Sequence, residues 1–231
     1  MSFLTLIQNS AKRLGLSSPA SAFNATDNQI VQLVALSQQE GVELARRFPW
    51  QVLTKEKTFT GTAAAAQSGA VPSDFDRFVD ESFFNRTQKR PLHGPISPQD
   101  WQFIQASVAT TIIESFRRRG NDILITPTPN GTDSYAYEYI STQWCESSGS
   151  TDQSAWASDT DTGILSEELM TLGVIGRFLR AKGMDYAEPF RTYEIQVAQA
   201  FSRDGGRRRL NMGARSSRRR SPYIAEGSWS L

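Results

Sequence analysis

The sequence predicts a mainly α (α+β) domain, a bundle of about five helices with a β-strand and hairpin insertion, followed by an extended C-terminal arm. Apolar residues recur at spacings of three and four in five separate segments, the period changes to two between Gln51 and Thr60, and arginines displace apolar residues beyond Gly206. A chain of 231 residues, 39% apolar, suffices for one domain whose folding buries roughly 70% of the unfolded surface.

The net charge of +1 conceals an asymmetry. Residues 203–231 carry eight arginines against Asp204 and Glu226, a balance of +6, which leaves −5 for residues 1–202. The single cysteine, Cys145, forbids an intrachain disulfide and fits a reducing interior, where it reads as a partly buried, inert thiol. The opening MSFLTLIQNSAKRLG places its charges after the apolar residues, and no run approaches the ~20 apolar residues a bilayer needs, so neither signal peptide nor membrane span is expected. The sequons at Asn24, Asn85 and Asn130 carry no weight without a secretory route.

Phe3, Leu6, Ile7, Ala11 and Leu14 share one face of a helix over residues 2–14, closed by Gly15. Thr26 and Gln29 read as a capping box opening a long central helix that bears Ile30, Val34, Ser37, Gly41, Leu44 and Phe48 and stops before Pro49. A strand follows over Gln51–Thr60, then a small-residue loop at 63–69, a turn at Val71–Phe75, an extended segment at Arg77–Phe84 and a loop over 85–96. Ser97, Pro98 and Asp100 start another helix, with Trp101, Ile104, Val108, Ile112 and Phe116 on its apolar face and Gly120 at its end. Ile123–Ile125 and Tyr135–Ile140 are expected to pair as a hairpin around Asn130-Gly131, with Pro127 and Pro129 keeping the first strand at an edge. After a Ser, Asp and Thr rich stretch at 146–163, Ser166, Glu167 and Glu168 open a helix bearing Leu165, Leu169, Leu172, Gly176 and Leu179 that ends at Gly183. Phe190, Tyr193, Val197 and Phe201 mark a last helix over 188–204, terminated by Gly205 and Gly206. The expected organisation is therefore one folded domain over 1–205, with β insertions around 51–84 and 123–140, and a basic arm over 206–231.

The residues give little support to catalysis. His93 is the sole histidine and lies between Pro91 and Pro95, so a histidine triad or a metal site would need ligands the chain lacks. The pairs Asp74/Asp76, Asp159/Asp161 and Glu167/Glu168 sit at turns or helix starts, where carboxylates cap; a hydrolase acting on cell envelope would rest on them alone. No phosphate-cradling glycine loop and no Cys-x-x-Cys occurs, so the expectation is a non-enzyme without catalytic residues, cofactor or metal. Arg117, Arg118 and Arg119 read as cations at a helix C-terminus. Arg207, Arg208, Arg209, Arg218, Arg219 and Arg220 can bind either phosphates or an acidic protein surface, and the residues alone leave both open. The −5 body weighs against plain duplex binding, which normally presents a basic face on the folded part.

Phe48-Pro49-Trp50-Gln51-x-Leu53-Thr54 and Val71-Pro72-Ser73-Asp74-Phe75-Asp76-Arg77 resemble signatures of the head-to-tail adaptors of tailed bacteriophages. The likeness continues through Gly94-Pro95-x-Ser97-x-x-x-Trp101-Gln102, Phe116-Arg117-x-Arg119-Gly120, Tyr137-Glu138-Tyr139-Ile140-Ser141, Gly173-x-x-x-Arg177 and Ala181-Lys182-Gly183-x-Asp185-Tyr186-Ala187. Asp204-Gly205-Gly206 and Asn211-Met212-Gly213 resemble the junction of last helix and tail. The resemblance implies a helical bundle with a β insertion, assembled as a ring of about twelve copies below the portal. It further implies a virion protein of the neck, assembled in the host cytoplasm and joined to portal and tail or nozzle proteins. Genomic DNA would pass without sequence-specific binding, and no cofactor, reaction or membrane is implied. On this reading the arm grips the portal through its arginines and through Tyr223, Ile224 and Trp229. The alternative is a nucleic-acid-binding protein that uses the same arm on phosphates.

Overall fold

The computed structural model describes residues 2–106 and 113–205. The first helix, α1 (Phe3–Arg13), starts where the Ser2 hydroxyl accepts the Thr5 amide and buries Phe3, Leu6, Ile7 and Ala11, as the spacing predicts. In α2 (Asn28–Arg47) the N-cap is Asp27, whose carboxylate accepts the Gln29 amide at 2.9 Å; Thr26 is not the cap. Its buried face is Ile30, Leu33, Ser37, Glu40, Gly41, Leu44 and Ala45, and a cap at Phe48 stops it before Pro49.

A 3-10 turn at Gln51–Leu53 leads into β1 (Thr54–Thr60). Then come β2 (Ala66–Gln67), β3 (Phe75–Phe78), β4 (Phe84–Asn85), β5 (Arg90–Pro91), α3 (Pro98–Ala106), β6 (Ser115–Arg119), β7 (Asp122–Thr126) and β8 (Ser134–Ser141). The chain continues through β9 (Cys145–Glu146), β10 (Asp152–Gln153), β11 (Thr162–Gly163), α4 (Glu167–Ala181) and α5 (Ala187–Asp204). Among the described residues the strands pair antiparallel: β1-β8-β4-β5 with β3 also on β8, β2-β7-β6, and β10-β9-β11.

Eleven strands in three sheets, beside five helices, make the described residues a mixed α+β fold, which corrects the expected helical bundle with a β insertion. Two local misreadings underlie the difference. The helix expected from Ser97 to Gly120 covers only Pro98–Ala106 in the described chain, and Phe116–Arg119 belong to β6; Val108 and Ile112 lie outside the described residues. Phe116 satisfied a helical spacing by coincidence: its ring stacks on Phe83 at 4.4 Å, and its backbone bonds to His93 and Ile96. Arg117, Arg118 and Arg119 therefore lie on a strand, with no helix end to complement.

The expected hairpin is also re-paired. Gly120, at φ +63°, and Asn121 form a two-residue turn between β6 and β7, in register Arg119↔Asp122, while β8 pairs with β1, β3 and β4. Pro127 falls just past β7, so β7 is the middle strand of its sheet and not an edge. Asn130 builds a side-chain turn instead, its amide oxygen accepting the Thr132 and Asp133 N–H groups.

Two apolar clusters result, and β8 belongs to both. Tyr135, Tyr137 and Tyr139 alternate onto an aromatic cluster with Phe83, Phe116 and Ile125, whereas Ile140 joins Leu6, Leu33, Trp144, Met170 and Val174 in the helical cluster. Gly41 permits this packing, because a Cβ there would overlap the Trp144 ring.

Candidate assembly site

Helix α5 is exposed along most of its length. It buries only Tyr193 and Val197, while Phe190 (45% exposed), Ile195 (49%) and Phe201 (37%) reach solvent, as do Met184 and Tyr186 just before it. These side chains are spread around α5 rather than gathered on one face, Ile195 lying about 140° round the helix from Phe190.

A polar lock holds α5 against the rest. Glu40, on the buried face of α2 and 1% exposed, accepts the Tyr193 hydroxyl on one oxygen and Arg177 Nε at 2.5 Å on the other. Arg177 also pairs with Glu43 at 2.7 Å. Gly173 is one helical turn before Arg177 on α4, and a Cβ on it would overlap the Glu40 carboxylate, which gives the Gly173-x-x-x-Arg177 spacing a steric and electrostatic reason. Burial, then the neighbouring Glu40 carboxylate, pushes the Tyr193 hydroxyl well above its ordinary value, so it remains a donor. Burial works against the charge on Arg177, but its bonds to Glu40 and Glu43 outweigh this and raise its pKa. On the outer side Arg47 pairs bidentately with Glu194, an ion pair that raises the Arg47 pKa against a smaller effect of burial.

The last turn of α5 closes on the corner between α2 and β1. Phe201 stacks on Phe48 at 4.3 Å, and the Gln51 amide donates to Asp204 Oδ2 at 2.6 Å. Trp50 sets that corner by donating its indole N–H to the Leu44 carbonyl at 2.8 Å. The arm residues Arg207, Arg208, Arg209, Arg218, Arg219, Arg220, Tyr223, Ile224 and Trp229 lie outside the described residues, and the described chain ends at Gly205, beside Gln51.

The carboxylates singled out in the sequence act as ties. Asp74 accepts Ser141 (2.8 Å), Tyr139 (3.1 Å) and Lys55 (3.2 Å); burial pushes its pKa up, but these bonds outweigh it and hold the group below its usual range. Asp76 pairs with Arg77, Asp159 accepts Ser21 and the Ala22 and Phe23 amides, and Asp161 accepts the Ala157 and Ser158 amides. Glu167 and Glu168 occupy the first turn of α4, where they complement its dipole. His93 bridges to Ser115 through its backbone, and no group of three metal-ligating side chains occurs among the described residues. Cys145 is fully buried, and burial pushes its thiol up to about 12.

Two clusters escape sequence reading: the Glu40 lock and a node at Asn85. The Asn85 amide, fully buried, donates to Glu114 at 3.2 Å and Asp133 at 3.1 Å, tying β4 to the entries of β6 and β8. Glu40 left one signal, a carboxylate between Ser37 and Gly41 on the buried face of a long helix. Asn85 left none, since its partners lie 29 and 48 residues away.

Among the described residues no helix is long and apolar enough to cross a membrane. Comparison with known family models and with curated proteins finds no match.

Proposed function

We propose that this chain is a head-to-tail adaptor of a tailed bacteriophage, a non-enzymatic virion protein that joins a ring of about twelve copies below the portal and extends the DNA channel toward the tail. The reading rests on the ordered motifs from Phe48 to Met212, and the fold gives several of them a physical role. Phe48-Pro49-Trp50-Gln51 forms the corner on which α5 closes, Asp74 gathers three donors, Ser97 caps α3 by accepting the Asp100 amide, and Gly173 with Arg177 completes the Glu40 lock. None of this depends on a helical bundle.

Two further features support the reading. The exposed apolar residues of α5 offer a subunit contact, and the −5 balance of residues 1–202 suits a channel wall past which DNA slides. In this account the basic arm reaches the portal, a tail or nozzle protein binds below, and the protein carries out no reaction and holds no cofactor. Labelling with an antibody against the chain tests it: signal at the head-tail junction of intact particles is expected, and signal confined to non-virion fractions of infected cells would overturn it.

A further inference from the structure

An open cleft of about 300 Å³ lies where α5 ends. Leu44, Trp50, Leu165 and Leu169, each 5% exposed or less, wall it, Val52 stands at its mouth 53% exposed, and Ala200 and Asp204 close it from α5. The chain leaves the described fold at this rim, because Asp204 is fastened to the Gln51 amide and Gly205 follows.

The residues next in sequence match the cleft. Gly205-Gly206 lets the backbone reverse, three arginines follow, and then come Leu210 and Met212, the sole large apolar side chains before Tyr223. From Gly205 to Leu210 is five residues, a reach of roughly 17 Å, ample for a return to the same rim. Leucine and the adaptable methionine suit an irregular apolar cleft, whereas the residues from Gly213 to Pro222 are almost all small, polar or charged.

We propose that Leu210 and Met212 of the same chain dock in the cleft between Trp50, Val52, Leu165 and Leu169, pinning the base of the arm to the body. Pinning shortens the free tether to the residues beyond Gly213. It thereby raises the effective concentration of Arg218–Trp229 at whatever surface the arm meets, whether or not that surface is a portal.

Engineered cysteine pairs in the full-length chain test this, with Val52→Cys combined in turn with Arg208→Cys, Leu210→Cys and Ser216→Cys. Val52 is exposed, so its replacement leaves the core intact, and buried Cys145 stays silent. An unpinned tether gives intrachain disulfide rates that vary smoothly with tether length; docking gives a maximum at 210, about tenfold above both 208 and 216. Smooth variation would overturn the proposal. So would a product at 210 that runs as a cross-linked dimer, which would assign the cleft to a neighbouring copy's arm.

Discussion

Replacing Arg177 by Met removes the cation from a carboxylate that has almost no access to water. Glu40 is 1% exposed, and of Arg177 and Tyr193, which both donate to it, only the Tyr193 hydroxyl would remain. Breaking one side of a buried pair typically costs about 3–5 kcal/mol. The lower end applies here, because the Arg177 side chain is 22% exposed and its bond to the 59% exposed Glu43 contributes little. An expected loss of about 3 kcal/mol shifts the urea midpoint by about 1–2 M for a domain of this size. Adding Glu40→Gln removes the stranded charge, so the double variant should recover about 2 kcal/mol of that loss, a coupling that a double-mutant cycle by urea unfolding reads directly. A cost below about 1 kcal/mol for Arg177→Met, or additivity within about 0.5 kcal/mol, would refute the lock.

Gly41→Ala drives a methyl into the Trp144 ring and should cost about 1–3 kcal/mol in the same unfolding assay, with the tryptophan emission altered in the folded state. On the acid side, Asp74 has a folded pKa below its ordinary 3.8, so its contribution is present above that value and lost as pH falls through the lowered one. Asp74→Asn should therefore flatten the acid limb of stability against pH, and an unchanged limb would count against the tie. On the alkaline side Cys145 is raised from 9.0 to about 12, so its contribution is complete below pH 9.0 and lost as pH rises through about 12. Cys145→Ala should shallow the onset of alkaline unfolding, whereas the steeper loss that follows, from Tyr135, Tyr137 and Tyr139 held protonated by burial, should remain visible as delayed tyrosinate absorbance.

Local chemistry was the legible part of the fold. α1, α2, α4 and α5 follow from amphipathic spacing and from stops at Gly15, Pro49, Gly183 and Gly205, and β1 from a change of period. Pairing was not legible, because Tyr135, Tyr137 and Tyr139 alternate in the same way whichever strand lies beside them, and Asn130-Gly131 outcompeted Gly120-Asn121 as the apparent hairpin turn. Phe116 shows the remaining limit: a spacing of four from Ile112 reads as helix, and only the aromatic cluster, gathered from residues far apart in the chain, decides for strand. The two-residue strands β2, β4, β5, β9, β10 and β11 are too short to show a period at all. For the site, the corner at Trp50 and the Gly173-x-x-x-Arg177 spacing were visible as motifs, but the partners that meet them, Phe201 and Asp204 for the first and Glu40 for the second, were not.

The central claim is that the arm carries this chain to a portal, and co-sedimentation with assembled portal rings of the same virus tests it most directly. The full chain is compared with a full-length variant in which Arg207–Arg209 and Arg218–Arg220 are serines, each at low and at high salt. The account predicts that the native chain sediments with the rings at low salt, less so at high salt, and that the serine variant stays largely in the supernatant. Absence of binding by the native chain, together with its salt-sensitive retention on duplex DNA, would contradict the adaptor account and favour a nucleic-acid partner for the arm.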